Sequence, residues 1–111
     1  MEKRSIQMDP KDNVATVLSD VDTGDAVQVF DENQNLLVEI KACQPIPMGN
    51  KLALADLDAG DFMVRYGERV GKVCKPIRKG QLVHVHNVRS INPDIPESII
   101  QEIIQVMNIT E

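Results

Sequence analysis

Apolar positions fall in short runs with turn residues between them, and no uninterrupted apolar run is longer than the four residues 52–55. Residues 13–18 carry Val14, Val17 and Leu18 with β-branched Thr16, which predicts a strand. A shared template follows four times: Asp or Pro, an aliphatic, two free positions, Gly, two more free positions, then alternating residues. Val21 precedes Gly24 and leads to Val27 and Val29; Ile46 precedes Gly49 and leads to Leu52 and Leu54. Leu57 precedes Gly60 and leads to Met63 and Arg65; Ile77 precedes Gly80 and leads to Val83 and Val85. In each unit the glycine suits a turn position with φ > 0, and the aliphatic before it plugs the core beside the turn. Period-two alternation after the glycine gives one buried face and one free face.

The four glycines, at 24, 49, 60 and 80, follow no fixed period, which argues against a solenoid or propeller. A compact β-domain of short bent strands fits instead. Residues 36–40 read as a strand after the polar loop 30–36. Residues 66–71 read as a tight connection, with Val70 aimed back at the core. Residues 1–12 read as a polar lead-in, extended or frayed, with a turn at Asp9-Pro10. After Pro93 and Pro96 the pattern changes. Ile99, Ile100, Ile103, Ile104 and Met107 recur at helical spacing, which predicts an amphipathic helix over 96–108. Its apolar stripe packs either on its own domain or on another chain. The organisation is thus a lead-in (1–12), a β-domain (13–89), and a linker with a C-terminal helix (90–111).

At 111 residues there is room for one domain. Aromatics make up 3%, so the core is built from aliphatics and Met. The net charge of −5 argues against a nucleic-acid partner, whose affinity would come from basic side chains. No apolar run reaches the roughly 18 residues a membrane span needs. Nor does the N-terminus carry the apolar stretch of a secretory signal, so a cytoplasmic protein is expected. Cys43 and Cys74, a single pair, do not make a disulfide framework and read as reduced core thiols.

Candidate chemistry concentrates between Gly49 and Asn87. His84 and His86 stand two apart, and a strand there would put both imidazoles on the face opposite Val83 and Val85. Such a pair can hold a metal or set an acid/base beside an anion-binding group; two solvated histidines are the plainer alternative. Lys51 is a cation near the Gly49 turn, and Tyr66-Gly67-Glu68 sets a phenol and a carboxylate beside another turn. No Walker A loop, GxGxxG, nucleophile elbow or HExxH occurs, and no complete catalytic set is visible.

Three blocks carry a family resemblance: Gly49-x-Lys51-x-Ala53-Leu54, Tyr66-Gly67-Glu68-x-x-Gly71 and Gly80-x-x-Val83-His84-x-His86-Asn87. Together with Asp12-Asn13-Val14-Ala15 they resemble the small SAF-type (β-clip) domain of the altronate/galactarate dehydratase family, which includes sulfolactate sulfo-lyase. The resemblance spans roughly residues 8–92. It implies a mainly β, β-clip fold and a role as a non-autonomous small subunit of a hydro-lyase or sulfo-lyase. The substrate would be a sugar acid or related hydroxy-carboxylate. A divalent metal, iron or manganese, would be held largely by a large catalytic partner. Docking would use a strand face or the C-terminal helix. The resemblance implies catalytic roles for Lys51, His84 and His86, with both histidines as metal candidates, and substrate contacts for Tyr66, Asn87 and Asn50. Asn50 stands where the family usually carries His, and Met8 lies near where members often carry another. Two other readings are a stand-alone, non-catalytic module binding a carbohydrate-like or carboxylate ligand, and a domain that self-associates into a homo-oligomer through its helix.

Overall fold

The computed structural model describes residues 3–84, 87–90 and 103–106. In chain order the strands are β1 (Lys3–Ile6), β2 (Val14–Val17), β3 (Ala26–Phe30), β4 (Leu36–Lys41), β5 (Lys51–Ala53), β6 (Phe62–Arg65), β7 (Glu68–Val73), β8 (Leu82–Val83) and β9 (Val88–Ser90). They form a six-stranded sheet, ordered β4-β3-β1-β2-β5-β8, and a three-stranded sheet, β6-β7-β9. Only β1 and β3 pair in parallel; the other named pairs are antiparallel. The architecture is mainly β, as expected. Of the predicted C-terminal helix, 103–106 are helical and the rest lies outside the described residues.

The repeated template is visible as two halves built with the same devices. Val21 and Ile46 exchange backbone hydrogen bonds at 2.9 and 2.8 Å, and Leu57 and Ile77 do so at 2.8 and 2.8 Å. All four aliphatics are buried. The four template glycines have φ between 86° and 99°. Within the halves, the Asp25 carboxylate accepts from the Asp22 N–H at 2.9 Å, and Asp61 accepts from Asp58 at 2.8 Å. Each half closes its own core. Val21, Val27, Val29, Ile40 and Ile46 belong to the first cluster; Leu57, Met63, Val73 and Ile77 belong to the second.

The two cores share the strands between them. Ala15, Val17, Leu52 and Leu82 face the first cluster, while Val14, Ala53 and Val83 face the second. Successive side chains point to opposite faces, so β2, β5 and β8 serve both clusters at once. This explains why their short runs are apolar at nearly every position.

Four local expectations change. Residues 3–6 are not a frayed lead-in: β1 lies inside the larger sheet, paired on both sides with β2 and β3. Its one inward position, Ser5, is fully buried and donates its hydroxyl to the Gln28 carbonyl at 3.1 Å, so a polar residue serves as core. Val70 is exposed rather than core-facing. A register shift between Met63 and Val64 in the β6–β7 pair places the buried positions of β7 at Gly71 and Val73. Cys43 and Cys74 are exposed and do not lie in the core. Each follows a buried residue, Ala42 just past the end of β4 or Val73 at the end of β7, and so takes the outward side. Finally, β8 stops at Val83. The His84 carbonyl accepts from the Asn87 N–H at 3.1 Å and the Val88 N–H at 2.9 Å, so the chain turns there instead of continuing as a strand.

Candidate functional site

The site begins with Asp12 and Asn13, which tie the second half of the chain to β2. The Asn13 side chain donates to the Phe62 carbonyl at 2.9 Å and accepts from the Val64 N–H at 2.8 Å. It thereby pairs backbone groups at the β6 register shift. The Asp12 carboxylate is buried and accepts from the N–H groups of Tyr66, at 3.0 Å, and Gly67, at 2.8 Å. Those two residues turn the β6–β7 hairpin with φ of 56° and 75°. Positive φ at both central positions is the pattern of a type I′ turn, whose first position ordinarily favours Asn, Asp or Gly. Tyr66 holds that position with its side chain largely exposed.

The hairpin directs Arg65 back toward the larger sheet. Its guanidinium donates to Thr16 Oγ1 at 3.2 Å and lies 4.7 Å from the centre of the Tyr66 ring. Thr16 pairs across the strands with Lys51. Cross-strand partners share a face with Cβ atoms about 5 Å apart, so Arg65 is brought to the Lys51 side of β5. The same face carries Val14, Ala53 and Val83 into the second core. Thr16 and Lys51 lie where this face reaches its rim.

Lys51 also pairs with Val83, the residue before His84. Both Lys51 and His84 are half-buried. Burial lowers the Lys51 pKa from its ordinary 10.5, and the Arg65 charge lowers it further. Burial likewise lowers the His84 pKa from 6.5, and the Lys51 charge adds to the effect. The imidazole is therefore neutral at neutral pH and able to accept a proton, beside cations suited to a negative group.

Of the residues expected from the sequence, Lys51 and His84 are near enough for the Lys51 charge to act on His84, and Tyr66 is linked to Lys51 through Arg65 and Thr16. Asn87 is buried beneath them. Its side chain accepts from the His84 N–H at 3.0 Å and donates to the Leu82 carbonyl at 2.8 Å, which fixes the bend that presents His84. The Asn50 side chain donates to the Pro47 carbonyl of its own turn at 3.1 Å. His86 lies outside the described residues. Thr16, Arg65 and the buried Asp12 were missed. For Arg65 there was a signal: it occupies a position that the template otherwise gives to aliphatics.

Residues 3–91 match the family model for the altronate/galactarate dehydratase SAF domain. The chain belongs to that family. It is 40% identical over 62 residues to the (2R)-sulfolactate sulfo-lyase subunit alpha of Chromohalobacter salexigens, covering 56% of this chain and 64% of that one. With the altronate dehydratase of Bacillus subtilis it shares 30% identity over 93 residues, 84% of this chain and 18% of the relative. The altronate dehydratase of Escherichia coli K12 is 33% identical over 92 residues, 83% of this chain and 17% of the relative. The SAF chain thus spans about two thirds or less of these relatives, and under a fifth of the dehydratases.

A divalent metal is a poor fit to the described part of this SAF-type site. The Lys51 charge acts on His84 and the Arg65 charge on Lys51, so the described part of the rim is positive and opposes a bound cation. Among the described residues no group of three His, Cys, Asp or Glu side chains converges.

Proposed function

We propose that this chain is the small, non-autonomous SAF part of a hydro-lyase of the altronate/galactarate dehydratase type. It works in the cytoplasm on a sugar acid or related hydroxy-carboxylate. A large dehydratase-like subunit completes the active site and carries the divalent metal, iron or manganese. The observation that most supports this reading is the convergence of half-buried Lys51 and His84 on one rim, within a chain of this family.

In the reaction, neutral His84 takes the proton α to the substrate carboxylate. Negative charge grows on the carboxylate as the C–H bond breaks, and the Lys51 ammonium stabilises it. The C–O bond then breaks, and the departing hydroxide takes the proton back from His84, so water leaves and the imidazole ends neutral. His86 is assigned to the same catalytic group, and Tyr66 and Asn50 to the substrate wall. Asn87 contributes by holding His84.

Expression of the chain in its native host, followed by capture and identification of bound protein, tests the reading. A complex with a dehydratase-like partner that dehydrates a sugar acid is expected, with activity falling in the His84→Ala, His86→Ala double variant. Strictly monomeric behaviour with no complex would sink it. A second reading, a non-catalytic module for a carboxylate or carbohydrate-like ligand, draws support from Asn50. Its amide turns to Pro47 where the resemblance leads one to expect a histidine.

A further inference from the structure

We infer that Arg65, Lys51 and the Thr16 hydroxyl form a binding site for one oxyanion group, the carboxylate or sulfonate of a small organic acid. Three observations carry it. First, Arg65 is fixed before any ligand arrives. Its guanidinium is hydrogen-bonded to Thr16 Oγ1 at 3.2 Å and lies over the Tyr66 ring at 4.7 Å, so little side-chain freedom remains to be lost on binding. Second, β2 and β5 bring Lys51 to the same place by direct pairing of Thr16 with Lys51. Two cations are thereby held together in a protein whose net charge is −5.

Third, no acid among the described residues offsets them. Among the described residues no carboxylate forms an ion pair with Lys51 or Arg65; Asp12, the buried acid of this region, is occupied by the Tyr66 and Gly67 N–H groups. Like charges placed together in a half-buried rim are unfavourable unless an anion relieves them. A guanidinium presents two parallel N–H donors that match a planar carboxylate or one edge of a sulfonate. A divalent cation would meet the same two charges as repulsion. Arg65 is therefore the residue that orients the acid group, and Lys51 is its electrostatic partner.

This rests on the reading of the same rim as substrate wall, but its test needs neither partner nor turnover. Two-dimensional 1H–15N spectra of the full chain would be recorded during titration with sodium lactate, sodium isethionate and sodium sulfate. Sodium chloride at matched ionic strength is the control. Saturable shifts are expected at the Thr16, Lys51 and Arg65 amides and at the Arg65 side-chain Nε–H, with lactate or isethionate and not with chloride. Arg65→Gln and Lys51→Gln should each weaken binding by about tenfold, one charged contact's worth. Arg65→Lys, which keeps the charge and the fold but not the paired donors, should fall between. Shifts that never saturate, that chloride reproduces, or that survive in folded Arg65→Gln overturn the site. Saturation by sulfate alone, with neither organic acid binding, overturns the assignment to an organic acid. Failure here leaves the lyase reading standing. Saturable binding by a chain that forms no active complex would instead remove the lyase reading and keep the anion site.

Discussion

The Asp12 carboxylate reaches across 54 residues of sequence to accept the Tyr66 N–H at 3.0 Å, and it takes the Gly67 N–H at 2.8 Å as well. A hairpin tip in the second half of the molecule is thus clamped by a buried acid that precedes β2. The clamp also aims Arg65, the residue immediately before the tip, at Thr16. Replacing Asp12 with Asn keeps its shape but turns an NH2 group toward backbone N–H donors. Asp12→Asn should lower stability by about 1–3 kcal/mol, the range for a buried charge-assisted pair of hydrogen bonds. Urea denaturation of the variant measures this directly. An unchanged midpoint with an unchanged slope would show that the clamp contributes nothing.

Tyr66 adopts a left-handed backbone, φ 56°, that a residue with a large side chain reaches at a cost of about 1–3 kcal/mol. Asn is the residue such a turn prefers. Tyr66→Asn removes the strain and also the stacking with Arg65, worth about 0.5–1 kcal/mol at an exposed site. The variant should therefore be as stable as the parent or more so, while activity of the proposed lyase complex should fall by about tenfold, 1.4 kcal/mol of barrier. A variant that loses both stability and activity would make Tyr66 a structural residue, and one that loses neither would remove it from the site.

Two of the template glycines separate backbone strain from close packing. Both have φ near 90°, but a Cβ on Gly49 would meet open space, whereas one on Gly80 would collide with the Lys41 carbonyl oxygen and crowd Cys43 Sγ at 3.2 Å. Gly49→Ala should cost about 1–2 kcal/mol, the strain alone. Gly80→Ala should cost clearly more, because the contact is with backbone that cannot swing aside. Thermal unfolding of the two variants side by side decides it; equal losses would mean that the loop at Lys41 yields freely.

The fold was legible where the physics is local. The Gly turn with its preceding aliphatic depends on a few adjacent residues, so all four units could be read from sequence, and the alternation at Val27 and Val29 held because the β3–β4 register shifts only after Val29. What could not be read was pairing between distant segments. The place of β1 in the sheet depends on parallel pairing with β3, which nothing in residues 3–6 announces. The end of β8 at Val83 has a related cause. Two valines and two histidines in alternation look like a strand, but Asn87 captures the His84 N–H and bends the chain. Lys51 and His84 were visible by residue type. Arg65 became part of the site only when the Asp12 clamp placed the hairpin over β2.

The electrostatics of the rim predict a pH dependence whose sign can be worked out. In the folded chain the His84 pKa lies below 6.5, by burial first and by the Lys51 charge second. Between that lowered value and 6.5 the unfolded chain binds more protons than the folded one, so stability increases as pH rises through the window and decreases on acidification. The same sign holds for Lys51 in the alkaline window below 10.5. Substituting Lys51→Met keeps most of the stem and removes the charge. The His84 pKa should then move up toward 6.5, because the second of its two causes is gone while burial remains. Imidazole Hε1 chemical shifts followed across pH in parent and variant measure this without partner or substrate. In the proposed lyase complex the acid limb of activity should move to higher pH with it, because the proposed role of His84 requires a neutral imidazole to take the α-proton. A His84 titration identical in both proteins would separate the two side chains electrostatically, and with them the pairing on which the proposed elimination depends.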